Sequence, residues 1–212
     1  MPVYKTINFN SSTQIFVWKI TESFQELLSN VVLKEKTKVR LHSMKSEIHQ
    51  RAFLSVRLLL KEVGYTDFDL HYDEFGKPYF NGGKHLSITH SHHFSAIIIS
   101  DETVGIDIEM QREKIIRIAD KFVNENELKL LRSYETQDYI RKLTVKWGAK
   151  EAIFKIRNEK GISFKDHIQV NTFKIEDKKT TAVLEIENIK QEFSIYYEEF
   201  ENFTLVYAFE NL

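Results

Sequence analysis

The 212 residues contain no cysteine. That excludes disulfides, thiolate metal sites and cysteine nucleophiles, and it suits a reducing compartment. Neither sign of charge is in excess: 30 Lys and Arg stand against 31 Asp and Glu, for a net charge of −1. Such a balance argues against a dedicated nucleic-acid binder, which carries a basic surplus, and leaves room for a local basic pocket. Long apolar runs are also missing. The longest, such as AIII at 96–99, fall far short of the ~20 residues of a membrane-spanning helix. The opening MPVYKTINFN has neither the basic nor the apolar region of a secretory signal. There is no low-complexity linker and no alignable internal repeat. The expectation is a cytoplasmic protein with no membrane and no nucleic-acid partner. Hydrophobic residues at 42% supply enough apolar surface for one generous domain or two small lobes.

The patterning mixes helices and strands without strict alternation. VYKTINF and IFVWKI within 3–20 read as strands. A helix opens near Thr21 or Ser23 as N-cap, with Phe24, Leu27 and Leu28 on one face. Ile48, Ala52, Val56, Leu59 and Val63 recur every three or four residues, predicting a helix over 44–63 that Gly64 closes. Short extended segments follow at 68–72 and 79–80 around a turn at Glu74–Pro78. LSITH and FSAIIIS read as strands joined at Ser91-His92-His93. Residues 113–132 and 137–157 read as helices, and 168–209 as strands with charged turns at 176–179 and 187–191. The class is α+β, each half having a long helix followed by antiparallel strands.

One segment poses a problem of charge. In Gly105-Ile106-Asp107-Ile108-Glu109-Met110, strand alternation sends Ile106 and Ile108 one way and Asp107 and Glu109 the other. Two carboxylates on neighbouring positions of one face repel, and bulk water, basic side chains or a cation must compensate. The helix at 142–155 offers a partner. Trp147, Glu151 and Lys155 lie four apart and share a face. If that face packs near the strand, three carboxylates converge. Three oxygen donors in a chain without cysteine favour a hard cation, Mg2+ or Mn2+.

The two segments together, G-I-D-I-E followed by W-x-x-K-E-A-x-x-K, resemble the paired signature of the 4′-phosphopantetheinyl transferase superfamily. Phe75-Gly76-Lys77-Pro78 resembles the family's G-K-P turn. Leu86-Ser87-Ile88-Thr89-His90-Ser91 resembles its S-H-S strand end, with Thr89 in place of the first serine. Arg51 falls where the family's long N-terminal helix carries an arginine, and Ala52 follows where some relatives have a hydroxyl. These matches keep their order from 51 to 155.

The resemblance implies the two-lobed monomeric type: two similar α+β lobes (a pseudo-dimer), each with a long helix packed on a small antiparallel sheet, divided as 1–103 and 104–212 with the active site between them. It implies transfer of phosphopantetheine from coenzyme A to a serine of an apo acyl or peptidyl carrier protein, with release of 3′,5′-ADP. By the same resemblance Asp107, Glu109 and Glu151 hold Mg2+, or Mn2+. Glu151 is also the first choice of general base, directly or through a bound water. Lys155 holds the diphosphate and stabilises the leaving group. Arg51 and His90 meet the 3′-phosphate, Thr89 adds a hydroxyl, and Lys77 and Pro78 lie near the nucleotide. His92 and His93 are turn residues. Arg112, Lys114, Arg117 and Lys121 are candidate contacts for an acidic carrier. A metal-dependent phosphohydrolase using the same carboxylates and a non-catalytic coenzyme A binder are the rival readings.

Overall fold

The computed structural model describes residues 3–131 and 135–211. The chain forms two compact units that divide between Glu102 and Thr103. Among the described residues no helix is long and apolar enough to cross a membrane.

In the first unit, β1 (Lys5–Asn8), β2 (Gln14–Lys19), β5 (His85–Ser91) and β6 (Phe94–Ser100) form a sheet in the order β1-β2-β6-β5. Every pair is antiparallel. The helices are α1 (Phe24–Ser29), α2 (Glu35–Ser43) and α3 (Glu47–Glu62), and β3 (Leu70–Tyr72) pairs with β4 (Pro78–Phe80) in a hairpin. Of the two N-cap candidates for α1, Ser23 does the capping. Its hydroxyl accepts from the Glu26 amide while the Glu26 carboxylate accepts from the Ser23 amide, so two orphan donors are satisfied reciprocally.

The long α3 packs on this sheet, and every residue from Ala52 to Leu60 is buried. Leu54, Leu59 and Leu60 are fully covered, and burial of each contributes about 1.5–3 kcal/mol. Ile48 departs from the expected apolar face. It lies in the first turn, ahead of the buried stretch, and is 53% exposed. The helix α2 was not expected. Its sequence, EKTKVRLHS, buries only Thr37 and Leu41, too few points for a period to show.

In the second unit, β7 (Val104–Met110), β8 (Ile168–Val170), β9 (Lys179–Ile186), β10 (Ile189–Phe200) and β11 (Phe203–Glu210) make an antiparallel sheet in the order β7-β11-β10-β9-β8. The expected helix at 113–132 is instead three pieces: a 3-10 turn at Glu113–Ile118, α4 (Ala119–Phe122) and α5 (Glu125–Leu131). The chain turns extended at Val123. Asn124 and Glu127 then restart it, each side chain accepting from the other's amide. Residue 132 of that expectation lies outside the described residues. The last helix, α6 (Thr136–Arg157), ends on Asn158 in the left-handed conformation, a common helix terminator. It packs across β7 and β11 over a core of Val145, Ala149, Ala152, Ile153, Val206 and Ala208. Each unit thus has one long helix on an antiparallel sheet, as the α+β reading expected.

Candidate active site

The two glycines of the motif segments bring α6 unusually close to the sheet, Gly105 in β7 and Gly148 against β11. A Cβ on Gly105 would lie 2.0 Å from the Ala152 carbonyl oxygen, and one on Gly148 would lie 2.7 Å from Val206 Cγ2. Glycine is required at Gly105 for backbone approach, since its φ is not in the left-handed region. Because Gly105 faces α6, strand alternation aims Asp107 and Glu109 at the same helix. Ile106 and Ile108, fully buried, occupy the opposite face.

Two residues of strand advance about 6.6 Å, and four residues of helix about 6 Å. The spacings match closely enough for rungs to form. Lys155 Nζ donates to Asp107 Oδ1 at 2.8 Å and to the Ile106 carbonyl at 2.8 Å. Trp147 Nε1 donates to Glu109 Oε1 at 3.3 Å. Glu151 lies between these rungs on α6. Asp107, only 5% exposed, is met by a basic side chain rather than by bulk water, and Glu109, half-buried, by an indole N–H.

Burial pushes the Glu151 carboxyl up to about 7, with Asp107 adding to the rise, Lys155 opposing it and Glu109 reinforcing it. The three carboxylates thus act on one another. They do not close into a ligand shell: among the described residues no three His, Asp or Glu side chains are gathered tightly enough to hold a metal. Trp147 also packs edge-on against Phe122 and Phe164, with ring centroids 5.0 and 5.7 Å away. It is both a packing anchor and a support for Glu109. Beside it a cleft of about 160 Å³ is lined by Glu109, Met110, Arg112, Lys114, Ile115 and Ile118. Arg117 and Lys121 are exposed as well.

A second set of charges on α6 went unread in the sequence. Lys142, Lys146 and Lys150 form a stripe four residues apart that looks like a solvated face, yet all three are buried. Lys150 Nζ shares its three N–H groups among four acceptors, the carbonyls of Phe122, Phe164 and Ile168 at 2.6–2.8 Å and Glu127 Oε2 at 3.1 Å. Lys146 Nζ donates to Glu127 Oε1 and the Val170 carbonyl. Burial lowers the Lys150 ammonium to about 8 against the opposing pull of Glu127. Lys150, inside the K-E-A motif, ties the loops around α6 together and leaves Glu151 as the group on the working face. The sequence shows only the four-residue spacing of the three lysines, which does not distinguish a buried stripe from a solvated one.

The remaining expected residues belong to the first unit. Lys77 and Pro78 close the β3–β4 hairpin. Asp73 stitches that turn, its Oδ1 accepting from the amides of Phe75 and Lys77 at 2.9 and 2.8 Å, and Gly76 supplies the positive φ of 85°. Arg51 sits on α3, with Nη2 3.4 Å from the Ile20 carbonyl. His90 pairs with Ser95 across β5 and β6, and Ser95 Oγ is hydrogen-bonded to Ser55 of α3 at 2.8 Å. Paired residues share a face, so His90 points to the α3 side. Thr89, buried, points to the other. A phosphate met by both side chains must lie at the strand's end. His92 and His93 form the turn, His92 with φ 51°.

The family described as the 4′-phosphopantetheinyl transferase superfamily matches residues 103–208, which hold β7, α6 and the whole carboxylate cluster. The chain is 30% identical over 175 residues to the 4′-phosphopantetheinyl transferase gsp of Aneurinibacillus migulanus, covering 80% of this chain and 72% of that one. It is 28% identical over 152 residues to the 4′-phosphopantetheinyl transferase ffp of Bacillus subtilis, covering 67% and 66%. A crystal structure of a holo-(acyl-carrier-protein) synthase from Bacillus anthracis str. Ames in complex with CoA (3′,5′-ADP) superposes with a TM-score of 0.39 and 20% identity, over 52% of this chain and 96% of that one. The chain therefore belongs to the 4′-phosphopantetheinyl transferase superfamily and is an enzyme of that class.

Proposed function

We propose that this enzyme transfers the 4′-phosphopantetheine arm of coenzyme A to a serine hydroxyl of an apo acyl or peptidyl carrier protein, releasing 3′,5′-ADP. The observation that carries the reading is the Lys155–Asp107 rung between β7 and α6, with the Glu151 carboxyl close enough to feel both charges. The serine oxygen forms a bond to the phosphorus next to the pantetheine, and the bond from that phosphorus to the bridging oxygen of the diphosphate breaks. Phosphoryl transfer of this kind needs positioning and charge stabilisation more than covalent help. Glu151, set on the α6 face that carries Lys155, is the group to take the hydroxyl proton, directly or through a bound water. Lys155 spends two N–H groups on Asp107 and Ile106. Its third is the donor for a diphosphate oxygen, in the ground state and on the departing 3′,5′-ADP.

The donor set fits a hard divalent cation in its chemistry. Asp107, Glu109 and Glu151 would supply oxygen donors whose mutual repulsion a cation would relieve, and since they do not close a shell by themselves, phosphate oxygens and water would complete it. Bound there, Mg2+ or Mn2+ would withdraw charge from the diphosphate. Arg51, Lys77, Pro78, Thr89 and His90 bind the nucleotide end with its 3′-phosphate. Arg112 and Lys114, at the cleft beside Glu109, and Arg117 and Lys121 further on, face an acidic carrier. The enzyme acts as a monomer in the cytoplasm.

The test is to mix the protein with coenzyme A, Mg2+ and an apo carrier and measure the carrier's mass. A phosphopantetheine adduct on one serine is expected. No adduct on several carriers, with folded protein and metal present, contradicts transfer, and hydrolysis of coenzyme A without acceptor identifies a phosphohydrolase.

A further inference from the structure

We infer that His49 is a second imidazole of the 3′-phosphate site, one that sets how strongly the enzyme prefers coenzyme A to its 3′-dephospho form. The inference rests on the function proposed above, which gives His90 that phosphate. His49 lies in the first turn of α3, exposed, and its ring centroid is 6.3 Å from that of His90 at an interplanar angle of 47°. A tilted, solvent-facing pair of this kind is not packed for stability. It brings imidazoles from two different elements within reach of one anion.

The location is fixed by the fold rather than by the rings themselves. The Ser55–Ser95 hydrogen bond sets α3 over the sheet, and His90 is the strand partner of Ser95. Arg51, one turn before Ser55, reaches the carbonyl of Ile20, whose amide donates to the His93 carbonyl in the β5–β6 turn. His49, His90 and Arg51 therefore gather at the turn end of the first unit's sheet. The Arg51 Nε is buried without a hydrogen-bond partner among the described residues, so this guanidinium is incompletely satisfied by the protein alone. A dianionic phosphate offers three acceptor oxygens and could take an N–H from each ring. A diphosphate oxygen elsewhere in coenzyme A would not need this site, which is why the effect falls on the 3′-phosphate.

The test compares coenzyme A with 3′-dephospho-coenzyme A as ligands of the wild type, His49→Leu and His49→Lys, by calorimetry and by kcat/KM for transfer. His49 is exposed, so the substitutions are compatible with folding, which circular dichroism checks. Loss of one hydrogen bond to a charged group predicts about a tenfold fall in affinity for coenzyme A in His49→Leu. Dephospho-coenzyme A should bind as before, and His49→Lys should retain most of the preference. A preference unchanged in His49→Leu, or an equal loss for both ligands, overturns the inference while leaving the transfer reading intact. Failure of the wild type to bind coenzyme A overturns both.

Discussion

Replacing Gly105 by alanine tests whether close strand–helix approach builds the site. The new methyl carbon would sit 2.0 Å from the Ala152 carbonyl oxygen, and 2.8 Å from its carbon. Ordinary contact begins near 3.4 Å, so β7 must move off α6 by more than an ångström. Both obstructing atoms are backbone of a packed helix and cannot rotate away. Overpacking of this kind costs about 1–3 kcal/mol, occasionally more. The same displacement would break the 2.8 Å bond between Lys155 and Asp107. Gly148→Ala is the control. Its methyl meets side-chain rather than backbone atoms, Val206 Cγ2 at 2.7 Å and Cβ at 3.1 Å, and alanine recovers about 1 kcal/mol of helix propensity. Urea unfolding of the three proteins, with m-values compared, gives the stabilities. Gly105→Ala should be the less stable variant and should lose transfer activity. Stability within about 0.5 kcal/mol of wild type for Gly105→Ala, or a greater loss for Gly148→Ala, would refute the close-approach argument.

Glu127→Gln should destabilise the second unit by about 3–5 kcal/mol, because it leaves the buried ammoniums of Lys146 and Lys150 without their carboxylate; an unchanged melting temperature would show that the backbone carbonyls alone suffice. In chelator, stability should fall as pH rises from about 4.5 to about 7. The folded Glu151 keeps a proton that the unfolded chain has already released, so its contribution is complete below the unfolded value and is lost through the folded one. Glu151→Gln should flatten that segment of the stability–pH curve, and a wild-type curve that rises there contradicts the assigned shift.

Strong local patterns carried most of the reading. The apolar period of 52–59, the Gly64 stop and the alternation of the strands after 168 each pointed to the element that forms. The packing of β7 on α6 was legible because charge placed on an apolar strand demands compensation, and the face carrying Trp147 and Lys155 supplies it. What was illegible depended on distant partners. No local signal reveals that Lys142, Lys146 and Lys150 are buried, since carbonyls of residues some 14 to 31 positions away satisfy them. The break at Val123 was hidden for the same reason: Glu127 is drawn inward by two lysines on α6. Glycine roles were also hidden, because Gly105 and Gly148 act through packing and neither has a turn conformation.

The most direct test is the rate of phosphopantetheine transfer to an apo carrier as a function of Mg2+ concentration, for the wild type and for Asp107→Ala. The wild type should require the ion and saturate with it. The variant should lose transfer by a factor of about 100 or more, with the metal dependence weakened. Transfer by Asp107→Ala at the wild-type rate, with the same dependence on Mg2+, would contradict the role assigned to the carboxylates between β7 and α6.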